Sequence, residues 1–269
     1  MLARAAYTLL LLVSVATVGC AQLSGVFGAA GDIATDVLLP VSQENALGKK
    51  LVKEVEKDLA LHPSSAVQSY VKEVGGRITK AAKDIPAGIR FTFKVVDDDD
   101  SVNAFAMPGG YIYVYSGLLR AAEDEAELAA VLGHEVAHVT QRHVARRLIA
   151  AHGLEAVTAV ALGENPGLLG QLAASVVNGG LLLTYGRDQE READAVGVPY
   201  AARAGRDPNG MISFFEKLKK NEGSPMFAIL QSHPLPSERI ENCRRLIKSL
   251  GKVPTERAAS AYASMQKHL

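Results

Sequence analysis

The stretch "GHEVAHVTQRH", Gly133 to His143, carries three histidines and a glutamate. His134 and His138 are four apart, so on a helix they stand one turn apart on one face and can reach a single ion. Glu135 points along the adjoining side, where a glutamate serves as base toward an attacking water. His143 lies five residues past His138, about 140° round a continuous helix. It cannot share the ion unless the helix breaks, and reads as a surface or second-layer residue. A catalytic zinc takes three protein ligands and keeps one position open, so a third ligand must lie downstream. "YGRDQEREADAVG", Tyr185 to Gly197, offers Glu190, Glu192 and Asp194. Glu190 and Asp194 share a helix face, whereas Glu192 is about 200° away from Glu190. Glu190 suits the metal, and Asp194 suits the free N–H of a metal-bound histidine, which needs a partner to fix its ring. One zinc ion per chain is expected. A closed structural site is disfavoured, because such sites usually draw on thiolates and Cys243 alone cannot supply them.

These residues need elements to position them. Glu123 to Ala150 reads as one long helix, acidic at its start and with Arg142, Arg146 and Arg147 near its end, matching the helix dipole. Before it, Ser42 could cap a helix carrying Leu47, Leu51, Val52, Val55 and Leu59, and Ser64 or Ser65 a second one with Val67, Tyr70, Val71, Val74 and Ile78. The period then changes: Ile89 to Val96 alternates, Asn103 to Met107 reads as a short strand, Pro108 to Gly110 as a turn, and Tyr111 to Tyr115 as another strand. A small, mostly antiparallel sheet results. Asp97 to Asp100 lacks the interleaving and glycine of a calcium loop and reads as a solvated turn. Leu154 to Thr184, apolar and Gly-rich, reads as a pair of packed helices or a mobile cover for the cleft. Further helices are expected over Arg191 to Ala204, around Met211 to Lys220, and up to Leu250, with a tail that is expected to fray from Lys252. Cys243 falls on an apolar stripe with Ile240, Ile247 and Leu250 and reads as a small buried hydrophobe.

The N-terminus differs in kind. Arg4 precedes an apolar run from Ala5 to Val18, too short for a comfortable membrane span and shaped like a secretory leader. Its "TVGC" ending resembles a bacterial lipoprotein signal, with Thr17 departing from the usual leucine, which makes Cys20 the expected lipidation site. The expected organisation is a leader over 1–19, a lipidated cysteine and tether over 20–41, one domain over 42–250 and a tail over 251–269. With 29 basic and 29 acidic residues the charge balances, and no basic stripe points to nucleic acid.

Four motifs, "NAFAMPGG", "HEVAH", "EREAD" and "SHPLPSERI", occur here in the order found in the HtpX-like and prenyl-protein endopeptidase family of zinc metallopeptidases, which this chain resembles over roughly Ser42 to Leu250. The resemblance implies an α+β, zincin-like fold: a mostly helical domain with a small antiparallel-rich sheet packed on the helix that bears the histidines. It implies an endopeptidase that hydrolyses unfolded or misassembled envelope proteins on the periplasmic side, as an outer-membrane lipoprotein. It also implies that Asn103, Ala104, Phe105 and Ala106 form the edge strand receiving the substrate backbone. His233 would then sit near the metal, either bonding the developing oxyanion with help from Tyr185 or Arg187, or filling the open position at rest. The alternative is an envelope chaperone or assembly factor that keeps zinc but cuts little.

Overall fold

The computed structural model describes residues 39–178, 184–234 and 237–269. The expected leader, Cys20 and nearly all of the tether lie outside the described residues. Helix α1 spans Val41–Val55 and α2 Ser65–Ala81. Ser64 caps α2 by accepting from the Val67 amide, as expected. Ser42 does not cap α1; Pro40 stands there, its carbonyl accepting from the Gln43 and Glu44 amides.

Strands β1 (Thr92–Val96), β2 (Ala104–Met107) and β3 (Tyr111–Tyr115) form one sheet in the order β1-β3-β2. The β2–β3 pair is the expected antiparallel hairpin, with Ala104 opposite Val114, and β1 adds a parallel pairing with Thr92 beside Tyr111. The outer edge of β1 is covered by a bridge from Leu61. The outer edge of β2 is unpaired by any other strand among the described residues.

Because side chains alternate across a strand, the sheet feeds two cores. Val95, Ala104, Ala106, Ile112 and Val114 face the larger one with α2. Phe105, Met107, Tyr113 and Tyr115 face a second with Leu47, Leu51 and Val55 of α1. The larger core is completed by α4 (Glu125–Thr140), α8 (Arg187–Arg203), α9 (Gly210–Lys220) and α11 (Ser237–Ser249). A short helix, α3 (Ser116–Ala121), links β3 to α4. The pair α6 (Leu154–Leu162) and α7 (Pro166–Val177) packs on α1, with Val157, Val160, Leu172 and Val176 in the second core. Between the two readings left open for this segment, its described part is a packed pair of helices. Cys243 is buried in the larger core, as expected. The aspartate run is a turn: Asp98 accepts from the Asp100 amide and the Ser101 hydroxyl, and Asp99 meets Arg120.

Two expectations fail here. The tail carries a helix, α12 (Ala259–Gln266), with Tyr262 fully buried and its hydroxyl donating to the Leu119 carbonyl at 2.8 Å. A single aromatic anchor outside a regular stripe left no periodic trace. The long helix also ends at Thr140, and α5 (His143–His152) restarts after a break. Arg142 sits there in the left-handed region, φ 55°. That conformation costs about 1–2 kcal/mol for an L-residue, offset by a buried ion pair to Glu44 at 2.8 Å and a 2.6 Å bond to the Leu39 carbonyl. Neither partner is local, so nothing in the local sequence marks the break.

The crossing of α4 and α8 depends on two glycines facing each other. A Cβ on Gly197 would meet the backbone of Gly133 and His134 at 2.7–2.8 Å, and one on Gly133 would meet the Gly197 carbonyl at 2.8 Å. Both contacts are with backbone, which has no rotamer to give. Gly197→Ala should therefore push the two helices apart, with a loss of about 1–3 kcal/mol in denaturant unfolding, together with weaker zinc binding. Unchanged stability would show that the crossing tolerates a methyl group.

A second anchor ties α2 to α4. Buried Glu125 accepts from the Tyr70 hydroxyl at 2.6 Å and is paired with Arg77 and Arg206. Burial pushes its carboxyl up, but the Tyr70 and Arg206 bonds and the Arg77 charge outweigh that and hold it below the ordinary 4.5. A depressed carboxylate adds stability above its unfolded pKa that is lost as the pH falls through the folded one. Stability measured by urea unfolding should thus decline from about pH 5 downward, less steeply for Glu125→Gln. Parallel curves for the two proteins would exclude this contribution.

Candidate metal centre

Helix α4 starts with Asp124 accepting from the Glu127 amide and is buried along its whole length. Its third and fourth turns present His134 and His138 on one face, their Nε2 atoms 3.0 Å apart. Helix α8 crosses at the paired glycines and brings Glu190 against them, Oε1 lying 3.3 Å from His138 Nε2 and Oε2 3.6 Å from His134 Nε2. After α10 (Ile229–Ser232), the chain turns His233 inward. Its Nδ1 is 3.0 Å from Glu190 Oε1 and 3.2 Å from His134 Nε2. The structure thus brings together all four residues predicted near the metal, and one donor atom from each lies within 4.8 Å of the others. All four are buried.

Asp194 and Glu135 lie beside the cluster. Asp194 Oδ1 is 3.0 Å from His134 Nδ1, the position expected for the partner of a ligand histidine. Glu135 is fully buried beside the cluster, 3.5 Å from His233 Nε2. Neither of its oxygens has a well-formed hydrogen bond. Burial pushes its carboxyl up, opposed by His233 and His134, while the Ala106 amide favours its charged form. That amide belongs to β2, so the predicted substrate strand runs directly past the predicted base. Asn103 and Ala104 to Ala106 are buried along it, with the Asn103 side-chain oxygen unpartnered. Tyr185 stacks on the His138 ring, centroids 3.7 Å apart, and its buried hydroxyl has no hydrogen-bond partner. Burial and the charges of Glu135 and Glu190 hold that phenol well above its ordinary pKa, so it is a neutral donor. Arg187 is exposed on the first turn of α8.

One participant escaped the sequence reading, and for another the structure decides between the two readings left open. Arg239 is almost fully buried and donates to both Asp194 oxygens at 2.7 Å, to Glu190, and to the Pro234 carbonyl. Its guanidinium lies over the Phe215 ring. A signal existed: a cation in the first turn of α11 opposes the helix dipole and needs an anion elsewhere. The other is His143, a second-layer residue rather than a surface one. It is fully buried, with Nδ1 2.8 Å from His138 Nδ1 and Nε2 3.1 Å from Glu192 Oε2. Glu192, placed on the far side of its helix by angle, is reached because α5 folds back after Arg142.

The donor set fits a metal. Three imidazoles and a carboxylate converge in a buried space, with a further unpartnered carboxylate beside them. Burial would lower the pKa of His134, yet Glu190 and Asp194 push it up to about 10, whereas burial and the charge of His134 hold His138 well below its ordinary value. Nitrogen and oxygen donors in this number suit one zinc ion.

The sequence profile of Peptidase family M48 matches residues 65–247. The chain belongs to this family. The M48 match spans every residue of the donor cluster. Among its relatives, the metalloprotease LoiP of Escherichia coli (strain K12) is 32% identical over 247 residues, covering 88% of this chain and 94% of LoiP. A putative beta-barrel assembly-enhancing protease of Vibrio cholerae is 34% identical over 221 residues, covering 77% of this chain and 44% of the relative. The beta-barrel assembly-enhancing protease of Escherichia coli (strain K12) is 28% identical over 278 residues, 96% of this chain and 55% of the relative. The chain therefore spans about half the length of the beta-barrel assembly-enhancing relatives.

Proposed function

We propose that this chain is a zinc-dependent endopeptidase acting on unfolded or misassembled proteins of the bacterial envelope. The observation that carries the proposal is the convergence of His134, His138, Glu190 and His233 beside a buried, unpartnered Glu135. His134, His138 and Glu190 would hold the zinc, which would supply Lewis acidity and an acidified water. Glu135, its carboxyl raised by burial, takes the proton of the attacking water and returns it to the leaving amine. Asp194, held by Arg239, keeps the His134 ring in place. His233, its Nδ1 3.0 Å from Glu190 Oε1, would serve either as a fourth donor to the ion at rest or as a hydrogen-bond donor to the developing oxyanion. The Tyr185 hydroxyl is a second donor for that charge. The outer edge of β2, paired with no other strand among the described residues and buried at rest, would once uncovered accept an extended peptide through main-chain bonds, a mode largely indifferent to sequence and suited to unfolded chains. A lipid on Cys20 would hold the domain at the outer membrane on its periplasmic side; no helix among the described residues is long and apolar enough to cross a membrane.

The test incubates the purified, zinc-loaded chain with unfolded β-casein and follows fragments by mass spectrometry. Cleavage should stop with a chelator and return with added zinc. Intact casein throughout would overturn the proposal. For the anchor, metabolic labelling with palmitate should mark the wild-type chain and not Cys20→Ser.

A further inference from the structure

We propose that His143 and Glu192 form a relay that positions His138: His138 donates its Nδ1–H to His143 Nδ1, and His143 donates its Nε2–H to Glu192. The inference rests on the metal-site reading above and not on proteolysis.

The tautomers follow from geometry. His138 turns Nε2 into the donor cluster, 3.0 Å from His134 Nε2 and 3.3 Å from Glu190 Oε1. An imidazole that offers Nε2 to a cation carries its proton on Nδ1, and that N–H needs an acceptor. The atom 2.8 Å away is His143 Nδ1. It can only accept if its own ring is protonated on Nε2, and Glu192 Oε2 stands 3.1 Å from that atom. Each ring nitrogen then has one task.

The two ligand histidines are thus held differently. His134 leans directly on a carboxylate, Asp194, which is braced by Arg239. His138 reaches its carboxylate through a second imidazole. This second route exists only because α4 breaks at Arg142, a break held by Glu44 and the Leu39 carbonyl. With Tyr185 stacked on the face of His138, both the plane and the in-plane rotation of the ring are set. His143 acts through His138 and is a positioning residue.

The test measures zinc affinity of the full chain by chelator competition. His143→Leu should bind zinc roughly 10–100-fold more weakly, the loss expected when such a partner is removed. His143→Asn places a carbonyl oxygen near the former Nδ1 and should recover most of that loss. The visible spectrum of the cobalt-substituted protein should shift for His143→Leu and stay near the parent's for His143→Asn. Parent-like affinity in His143→Leu overturns the relay, as does an equal loss in the leucine and asparagine variants, which would mean packing alone. If circular dichroism shows that His143→Leu does not fold, Glu192→Ala, at a half-exposed position, decides: several-fold weaker zinc binding supports the relay and unchanged binding overturns it. A parent chain that binds zinc but leaves casein intact defeats the protease reading and leaves the relay standing; one that binds no zinc defeats both.

Discussion

Glu135→Gln should abolish measurable hydrolysis of an unfolded protein, a fall of about 10²–10⁴-fold from loss of the proton-transfer step, while zinc binding stays within a few-fold of the parent. The side chain is fully buried and both oxygens are unpartnered. An amide of the same shape keeps an oxygen toward the Ala106 amide and loses only the charge that faces His233 and His134, and removing a buried charge relieves desolvation rather than adding to it. Unfolding stability should hold or rise slightly. Side-by-side cleavage and chelator-competition measurements check both halves. Equal cleavage by the two proteins would remove Glu135 from the chemistry. In cells, a variant that cuts nothing yet preserves envelope integrity would favour the chaperone reading.

Arg239→Leu should produce the largest loss of stability, about 3–5 kcal/mol in the zinc-free protein, because it leaves Asp194 and Glu190 buried without their counter-ion. The guanidinium binds Asp194 through two bonds of 2.7 Å and also reaches Glu190. Arg239→Lys should rescue only in part, since an ammonium cannot match a planar fork. Added zinc offers another positive charge near Glu190, so it should raise the urea midpoint more in the variant than in the parent. A loss below about 1 kcal/mol, or no difference in the response to zinc, would show that the pair of carboxylates does not depend on Arg239.

The residues of the site were legible in proportion to how local their geometry is. His134 with His138, and Glu190 with Asp194, are four-residue spacings within one helix, so the sequence places each pair on a face without knowing the fold. That the two faces meet was carried by motif order, and the paired Gly133 and Gly197 show how. What stayed illegible depends on distant contacts. His143 was assigned by the angle of an unbroken helix, and the break at Arg142 is held by Glu44, 98 residues away. Arg239 sits inside a quoted motif, but its anions lie on another helix. The antiparallel hairpin followed from turn residues and alternation, whereas the parallel pairing of β1 has no local marker. Tyr262 docks through one ring, which no periodicity can announce.

The spread of the site along the chain sets the order in which it can come into being. His134 and His233 are 99 residues apart, and Arg239 arrives later still. As a chain emerges from the ribosome, N-terminal parts fold first. A nascent protein that has made α4 and α8 holds three donors and the base, but lacks the cation that makes burial of Glu190 and Asp194 tolerable. The cluster is therefore complete only once Arg239 has emerged, and a product cut short before it would lack the cation that lets Glu190 and Asp194 be buried together.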